Sequence, residues 1–194
     1  MARLRADGAD VLVLDVVDGF DVSDPDAWSS VEPVELACLN AGVTSADESV
    51  ADYRRVVGVN VDGVVYGVRR LAEVMEPGSA IVVTASLAGL APWPGDPVYT
   101  LTKHAVLGFV RAAAPGLAER GIRLNAVCPG FVDTPMTRPH EGSLREAGFE
   151  LMPPTQVAEA VLVAARSKDA GQAWVIQPGR EPMQFRFPNV PGPR

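Results

Sequence analysis

Tyr99 and Lys103 are the two residues whose types and spacing most invite chemistry. The chain has 194 residues, with only three tyrosines and two lysines. These two stand four positions apart. On a helix that separation puts both side chains on one face, one turn apart. A phenol is a poor acid or base at neutral pH, and a neighbouring ammonium favours the phenolate and lowers its pKa. Ser86 lies 13 residues before Tyr99, just after an apolar run, where its hydroxyl could orient a carbonyl or alcohol oxygen beside the phenol. Such a set suits proton exchange with a substrate oxygen. On spacing alone, a lysine that is merely a solvated charge on a helix flank stays open.

These groups need elements to position them. Residues 11–14 form a short β-branched and apolar run that ends at Asp15. Residues 36–39 form a second, ending at Asn40-Ala41-Gly42, and residues 81–84 a third, ending near Ser86. Residues 122–127 lead to Pro129-Gly130, and residues 173–176 make a fifth run. Runs of this kind are strands buried on both faces, as in parallel sheets. Helical periodicity lies between them, over 47–76, 98–119 and 155–166. Pro115 is expected to kink or shorten the second helix, and Thr155 is a candidate N-cap for the third. Residues 2–7 read as a helix end, with Gly8 as its left-handed cap. The alternation predicts an α/β fold, a single domain with a doubly wound parallel sheet and helices on both faces. The proline-rich end, 177–194, reads as a strap that Phe185 and Phe187 could pin to the body. Ligands of open α/β sheets bind at the C-terminal edge of the strands. Asp15, Asn40 to Gly42, Ser86 and Pro129-Gly130 all sit where such an edge would be.

Composition narrows the class. Apolar residues make up 47% and charged residues 21%, which fits a folded globular domain. Seventeen basic residues against 24 acidic ones leave a formal charge of −7. That argues against a nucleic-acid partner, since phosphate binding draws on a surplus of Lys and Arg. A nucleotide cofactor remains possible, because backbone amides can hold one. Cys38 and Cys128 lie in apolar surroundings and are expected to be buried free thiols in a reducing compartment. No apolar run reaches the roughly 18 residues of a membrane span, and the first residues lack the apolar stretch of a signal peptide. A cytoplasmic location is therefore expected. His104 and His140 have no partners at metal-ligand spacing, and Gly-x-Ser-x-Gly is absent. No metal is expected.

Taken in order, several short motifs resemble the short-chain dehydrogenase/reductase family, in its shorter type. They are Asn40-Ala41-Gly42, Asn60 in Gly58-Val59-Asn60, and Ser86 in Thr84-Ala85-Ser86-Leu87-Ala88-Gly89. Tyr99-Thr100-Leu101-Thr102-Lys103 follows, then residues 123–134, which include Pro129-Gly130-Phe131-Val132-Asp133-Thr134. The resemblance covers roughly residues 1–180 and implies a Rossmann-like domain that moves hydride between NAD(P) and a secondary alcohol or ketone. It assigns Tyr99 as the acid/base and Lys103 as the group that lowers its pKa and holds the nicotinamide ribose. Ser86 would hydrogen-bond the reacting oxygen. Asn60 would hold a relay water; the other reading of Asn60 is a buried polar bridge. Pro129, Gly130, Val132 and Thr134 would pass the nicotinamide. Asn40, Ala41 and Gly42 would lie beside the adenosine ribose, and Asp21-Val22 beside the adenine. Asp21 could equally be a turn or cap residue. Asp15 at the end of the first run would accept from the ribose hydroxyls and repel a 2′-phosphate, which favours NAD over NADP. The family resemblance also implies a homodimer or homotetramer built on the helices at 47–76 and 98–119, with Phe109 and Val110 as candidates for that face. Segment 133–153 would be a substrate lid, with Met136, His140, Leu144, Phe149 and Met152 as contacts; its apolar content hints at a hydrophobic or aromatic alcohol.

The sequence departs from the family in one respect. No strand and no Gly-x-x-x-Gly-x-Gly turn precede Asp15, although the family seats the cofactor pyrophosphate there. Three explanations are open: a start further upstream, a product that has lost cofactor binding, or a closed-up sheet in which residues 11–15 pair directly with 36–39. The second reading of function follows from this: a catalytically silent relative acting as a binding or oligomerising subunit.

Overall fold

The five runs meet different fates. In the computed structural model, which describes residues 2–188, four become parallel strands: β1 (Leu36–Leu39), β2 (Ala80–Thr84), β3 (Arg123–Pro129) and β4 (Ala173–Ile176). A two-residue strand, β5 (Met183–Gln184), adds antiparallel to β4, and the sheet order is β1-β2-β3-β4-β5. The pleat sends alternate residues to opposite faces. Ile81 and Val83 of β2 pack on one side, under α3 (Gly63–Val74) and α4 (Pro97–Glu119), with Val68, Leu71, Val106 and Val110. Ala80 and Val82 pack on the other, under α6 (Pro154–Arg166), with Ala160, Ala164 and Ile176. The α/β architecture with helices on both faces is thus as expected.

Residues 11–14 do not form a strand. β1 pairs with β2 alone among the described residues, so the run lies extended with Leu12, Val13 and Leu14 exposed. Apolar β-branched residues make a strand only where a partner backbone takes their N–H and C=O groups, and none does so here. The closed-up sheet is excluded by the same pairing. It also leaves Cys38 exposed rather than buried, because the α6-side face of edge strand β1 is uncovered there. Cys128 is buried as expected.

The short helix α1 (Ala2–Ala6) ends at Gly8, whose φ of 84° supplies the left-handed cap. The 47–76 pattern resolves into α2 (Val50–Val57), a π-helical turn over Gly58–Asp62, and α3. Pro115 does not shorten α4, which runs on to Glu119. Proline forfeits one N–H and its bond to residue 111, while buried Ala114 and Leu117 hold the helix to the core on either side. Thr155 is not the cap of α6: Pro153 takes that place and Pro154 is the first helical residue, where the missing N–H costs nothing. Of the two residues offered for an oligomer face, Val110 is fully buried within the chain, while Phe109 is only partly buried against the same cluster. Phe185 and Phe187 do pin the strap, edge-on to each other at 4.9 Å, with the Arg111 guanidinium over the Phe187 ring. Residues 189–194 of the strap lie outside the described residues.

Candidate active site

The parallel register brings the C-terminal ends of the strands to one crest. Asn40 to Gly42 follow β1, Ala85-Ser86 follow β2, and Pro129-Gly130 close β3. The Asn40 side chain accepts from Thr84 Oγ1 at 2.9 Å, tying the first two loops together. Across this crest lies the first half of α4, which carries Tyr99 and Lys103. Its start is fixed by Asp96, a buried carboxylate that caps the helix by accepting from the Tyr99 N–H at 2.8 Å and also accepts from the Ser45 N–H at 2.8 Å.

The Ser86 loop is pressed against the same helix. A Cβ on Gly89 would stand 2.6 Å from the Lys103 carbonyl oxygen, so only glycine permits this approach. Ser86 caps the turn that follows, accepting from the Ala88 N–H at 3.1 Å. Its side chain also reaches the Tyr99 phenol. Burial raises the phenol's pKa above its ordinary value; the Ser86 contact offsets part of that, and Asp96 adds to it. The expected lowering by Lys103 is not found in this state. The ammonium lies 5.4 Å from the Tyr99 ring centroid and donates to the Thr84 carbonyl at 2.9 Å. Burial brings Lys103 itself down to about 8. The same burial pushes the Cys128 thiol up to about 12.

Asn60 sits fully buried in the π-helical turn, a local irregularity often found at functional sites. It accepts from the Val43 N–H at 2.8 Å, and it donates to the Val43 carbonyl at 2.9 Å and to Thr102 Oγ1 at 3.1 Å. Its amide therefore bridges the loop after β1 to α4. Gly42 fills the space between: a Cβ there would be 3.4 Å from both Asn60 Oδ1 and Lys103 Nζ. Asn60, Ser86, Tyr99 and Lys103 are thus brought together, with Gly42 against two of them.

The remaining predicted residues spread further. Pro129 is buried at the end of β3, and a Cβ on Gly130 would meet Leu87 Cδ1 at 3.4 Å. Val132 bridges to Met152, and the Thr134 hydroxyl donates to the Val132 carbonyl at 3.3 Å. Met152 is fully buried core rather than a lid contact. Asp15 is exposed and caps a short turn by accepting from the Val17 N–H at 3.2 Å. Asp21 accepts from the Ser23 N–H and hydroxyl, which hold its carboxyl below the ordinary range. Val22 packs at the start of α3, where a Cβ on Gly63 would stand 2.9 Å from it. Sequence reasoning passed over Trp93, which lies beside the Tyr99 ring, and Phe131, which lies beside Trp93. Trp93 stands edge-on to Tyr99 at 6.1 Å, and Phe131 edge-on to Trp93 at 6.0 Å. Among the described residues there is no cluster of three potential metal ligands, and no helix is long and apolar enough to cross a membrane.

This arrangement can hold a substrate oxygen between two hydroxyls and exchange a proton with it. It fits the nicotinamide ribose of a dinucleotide at one end. Lys103 has three donors, and among the described residues Thr84 takes one. At the other end the described residues offer no glycine-rich cradle for phosphates.

A family model described as "Enoyl-(Acyl carrier protein) reductase" matches residues 3–166. The chain is 34% identical over 163 residues to the 2-(R)-hydroxypropyl-CoM dehydrogenase of Xanthobacter autotrophicus, covering 77% of this chain and 65% of that protein. It is 33% identical over 171 residues to the mitochondrial borneol dehydrogenase of Lavandula x intermedia, covering 81% of this chain and 66% of that protein. The chain thus spans just under two thirds of these curated relatives. Among solved structures, a short-chain dehydrogenase/reductase (glucose/ribitol dehydrogenase) from Brucella melitensis superposes with a TM-score of 0.74 at 26% identity, over 82% of this chain and 73% of that one.

Proposed function

This chain belongs to the short-chain dehydrogenase/reductase family, and from that premise we propose that it carries the proton-transfer site of an NAD(P)-dependent oxidoreductase interconverting a secondary alcohol and a ketone. The observation that carries the reading is the convergence of Tyr99, Ser86, Lys103 and Asn60 on one crest. In the reducing direction the Tyr99 hydroxyl donates its proton to the substrate oxygen, and in the oxidising direction the phenolate accepts one. Ser86 Oγ donates a hydrogen bond that holds the oxygen in line. Lys103 does not lower the phenol's pKa in the free chain; it is proposed to favour the phenolate by its charge when the site is loaded and to offer its remaining donors to the nicotinamide ribose hydroxyls. Asn60 holds Val43 by both its backbone groups and is a candidate to order a relay water. The bound dinucleotide supplies or accepts the hydride. Pro129, Gly130, Val132 and Thr134 are the residues proposed to line the nicotinamide, and Asn40 to Gly42 the adenosine ribose. Asp15 and Asp21-Val22 are proposed for the adenine side, with NAD preferred to NADP. The names of the relatives, both dehydrogenases of secondary alcohols, support the reaction class.

One observation favours a second reading. β1 is an open edge, and no phosphate cradle stands beside it among the described residues. On this reading the chain binds or oligomerises as a silent subunit. Tyr53 and Leu101, exposed on α2 and α4, are surfaces on which copies could meet.

The test is a calorimetric titration with NAD and with NADP, paired with turnover of Tyr99→Phe. Saturable NAD binding, and turnover that the substitution abolishes while binding persists, is the expected result. A folded chain that binds neither cofactor would sink the enzyme reading in favour of the subunit. Turnover retained by Tyr99→Phe would remove Tyr99 from its role.

A further inference from the structure

Aromatic rings continue outward from the phenol. Trp93 stands at 87° to Tyr99, Phe131 at 74° to Trp93, and Phe149 at 63° to Phe131 with centroids 5.1 Å apart. The inner rings are held in place. The Trp93 carbonyl accepts from Thr100 Oγ1 at 3.1 Å, and a Cβ on Gly95 would press the indole at 3.0 Å. Phe131 is anchored through its carbonyl, which accepts from the Met152 N–H at 2.9 Å. The outer ring, Phe149, is 52% exposed. Three elements contribute: the loop before α4, the end of β3, and the segment after α5 (Glu141–Glu146). A ring series assembled from three elements beside one hydroxyl, and left half-covered at its outer end, is incomplete as packing. On its lid side Asp133 is bonded by Arg138 at 2.7 Å and Glu141 pairs with Arg145 at 3.9 Å, while Glu146 and Glu150 are exposed to solvent.

We propose that Trp93, Phe131 and Phe149 form the substrate wall, and that they select a secondary alcohol or ketone bearing an aryl ring beside the reacting carbon. The inference rests on Tyr99 being the group that meets the reacting oxygen. Edge-to-face stacking needs a flat ring with a π-face, and it contributes beyond the area it buries. An apolar wall by itself separates aliphatic chains of different length only weakly. The discrimination therefore lies between an aryl group and a flexible chain of equal carbon number.

Acetophenone and 2-octanone are the probes, since both are eight-carbon methyl ketones. Their binding to the full chain is measured by ligand-observed NMR, with and without excess NAD. Acetophenone is expected to bind more tightly. Phe131→Leu should weaken acetophenone by about fivefold, equivalent to about 1 kcal/mol, and leave 2-octanone nearly unchanged. Phe149→Leu should do so more mildly; as an exposed site it leaves the core intact if Phe131→Leu fails to fold. Trp93→Phe should keep the preference. Tighter binding of 2-octanone, equal loss of both ligands in the variants, or no binding of either would overturn the inference. Ring preference without turnover by either cofactor would refute the enzyme reading alone; turnover without ring preference would refute this inference alone.

Discussion

Gly89→Ala is the sharpest test of how the site is held. The missing Cβ would stand 2.6 Å from the Lys103 carbonyl oxygen, 2.9 Å from its carbonyl carbon and 2.9 Å from Leu107 Cδ1. Two of these three atoms are backbone of the 23-residue helix α4 and cannot swing aside as a side-chain end does. The nearest contact falls about 0.8 Å short of an ordinary 3.4 Å separation, and a close-packed interior transmits such strain rather than absorbing it. Overpacking of this kind costs about 1–3 kcal/mol. In a chain of this size, about 2 kcal/mol lowers Tm by about 4–8 °C. The displacement carries Ser86 with it, because the Gly89 N–H donates to the Ser86 carbonyl at 2.9 Å. Moving a positioning hydroxyl by nearly 1 Å costs about 10²-fold in rate.

Two assays separate the effects without requiring turnover. Thermal melting followed by circular dichroism reads the packing cost. Ultraviolet titration of the phenol, with Tyr99→Phe as the baseline, reads the Ser86 contact. That contact pulls the Tyr99 pKa down against burial, so losing it should move the titration further up. An alanine variant with unchanged Tm and unchanged phenol titration would refute the claim that this glycine sets the distance between loop and helix.

Two other perturbations follow from the buried polar groups. Lys103 titrates near 8 against an ordinary 10.5 because it is buried. Between those values the unfolded chain binds a proton that the folded chain has released, so unfolding free energy rises with pH across that window. Below it, charge burial opposes folding in full. Lys103→Met removes the term, so its stability advantage over the parent chain should shrink between about pH 8 and 10.5; a difference in urea unfolding that stays constant over that range would contradict the burial argument. Asn60→Leu keeps similar volume but strands the Val43 N–H and the Val43 carbonyl, while the Thr102 hydroxyl keeps its bond to the Tyr99 carbonyl. At about 1–3 kcal/mol per orphaned buried group, the urea midpoint should fall by at least the equivalent of about 2 kcal/mol; a midpoint within error of the parent would show that the amide is not the bridge.

Much of the crest was legible because its information is local. Tyr99 and Lys103 share a helix turn, and the loop residues follow apolar runs whose period and length read as buried strands. What failed was non-local. Residues 11–14 have the composition of a strand, but a strand exists only with a partner, and composition carries no trace of whether one is present. Cys38 misled for the same reason: its neighbours are apolar, yet its side of β1 lacks cover. The family resemblance offered Val110 for an oligomer face and lid position offered Met152 as a substrate contact, while contacts between distant elements bury both. Trp93 and Phe131, 38 positions apart, meet only because the loop before α4 folds back over the end of β3. Ring types flanking a proline or glycine give no sequence signal of such a meeting.

The polar residues of the site also act as structural anchors. Asn60 takes both backbone groups of Val43, Asp96 holds Ser45 and Tyr99, and Lys103 donates to Thr84. Each is buried, and each binds main chain of a loop or strand end at the crest. Burying such groups unpaired would cost several kcal/mol, so the loops are drawn to the positions that satisfy them. A chain could therefore retain Asn60, Asp96 and Lys103 for folding alone, with no chemistry attached. Tyr99 and Ser86 are different. The phenol does not serve as a backbone anchor among the described residues, and the Ser86 side chain reaches the phenol as well as its own turn. Retention of those two hydroxyls, side by side under a wall of aromatic rings, is what favours an enzyme over a scaffold.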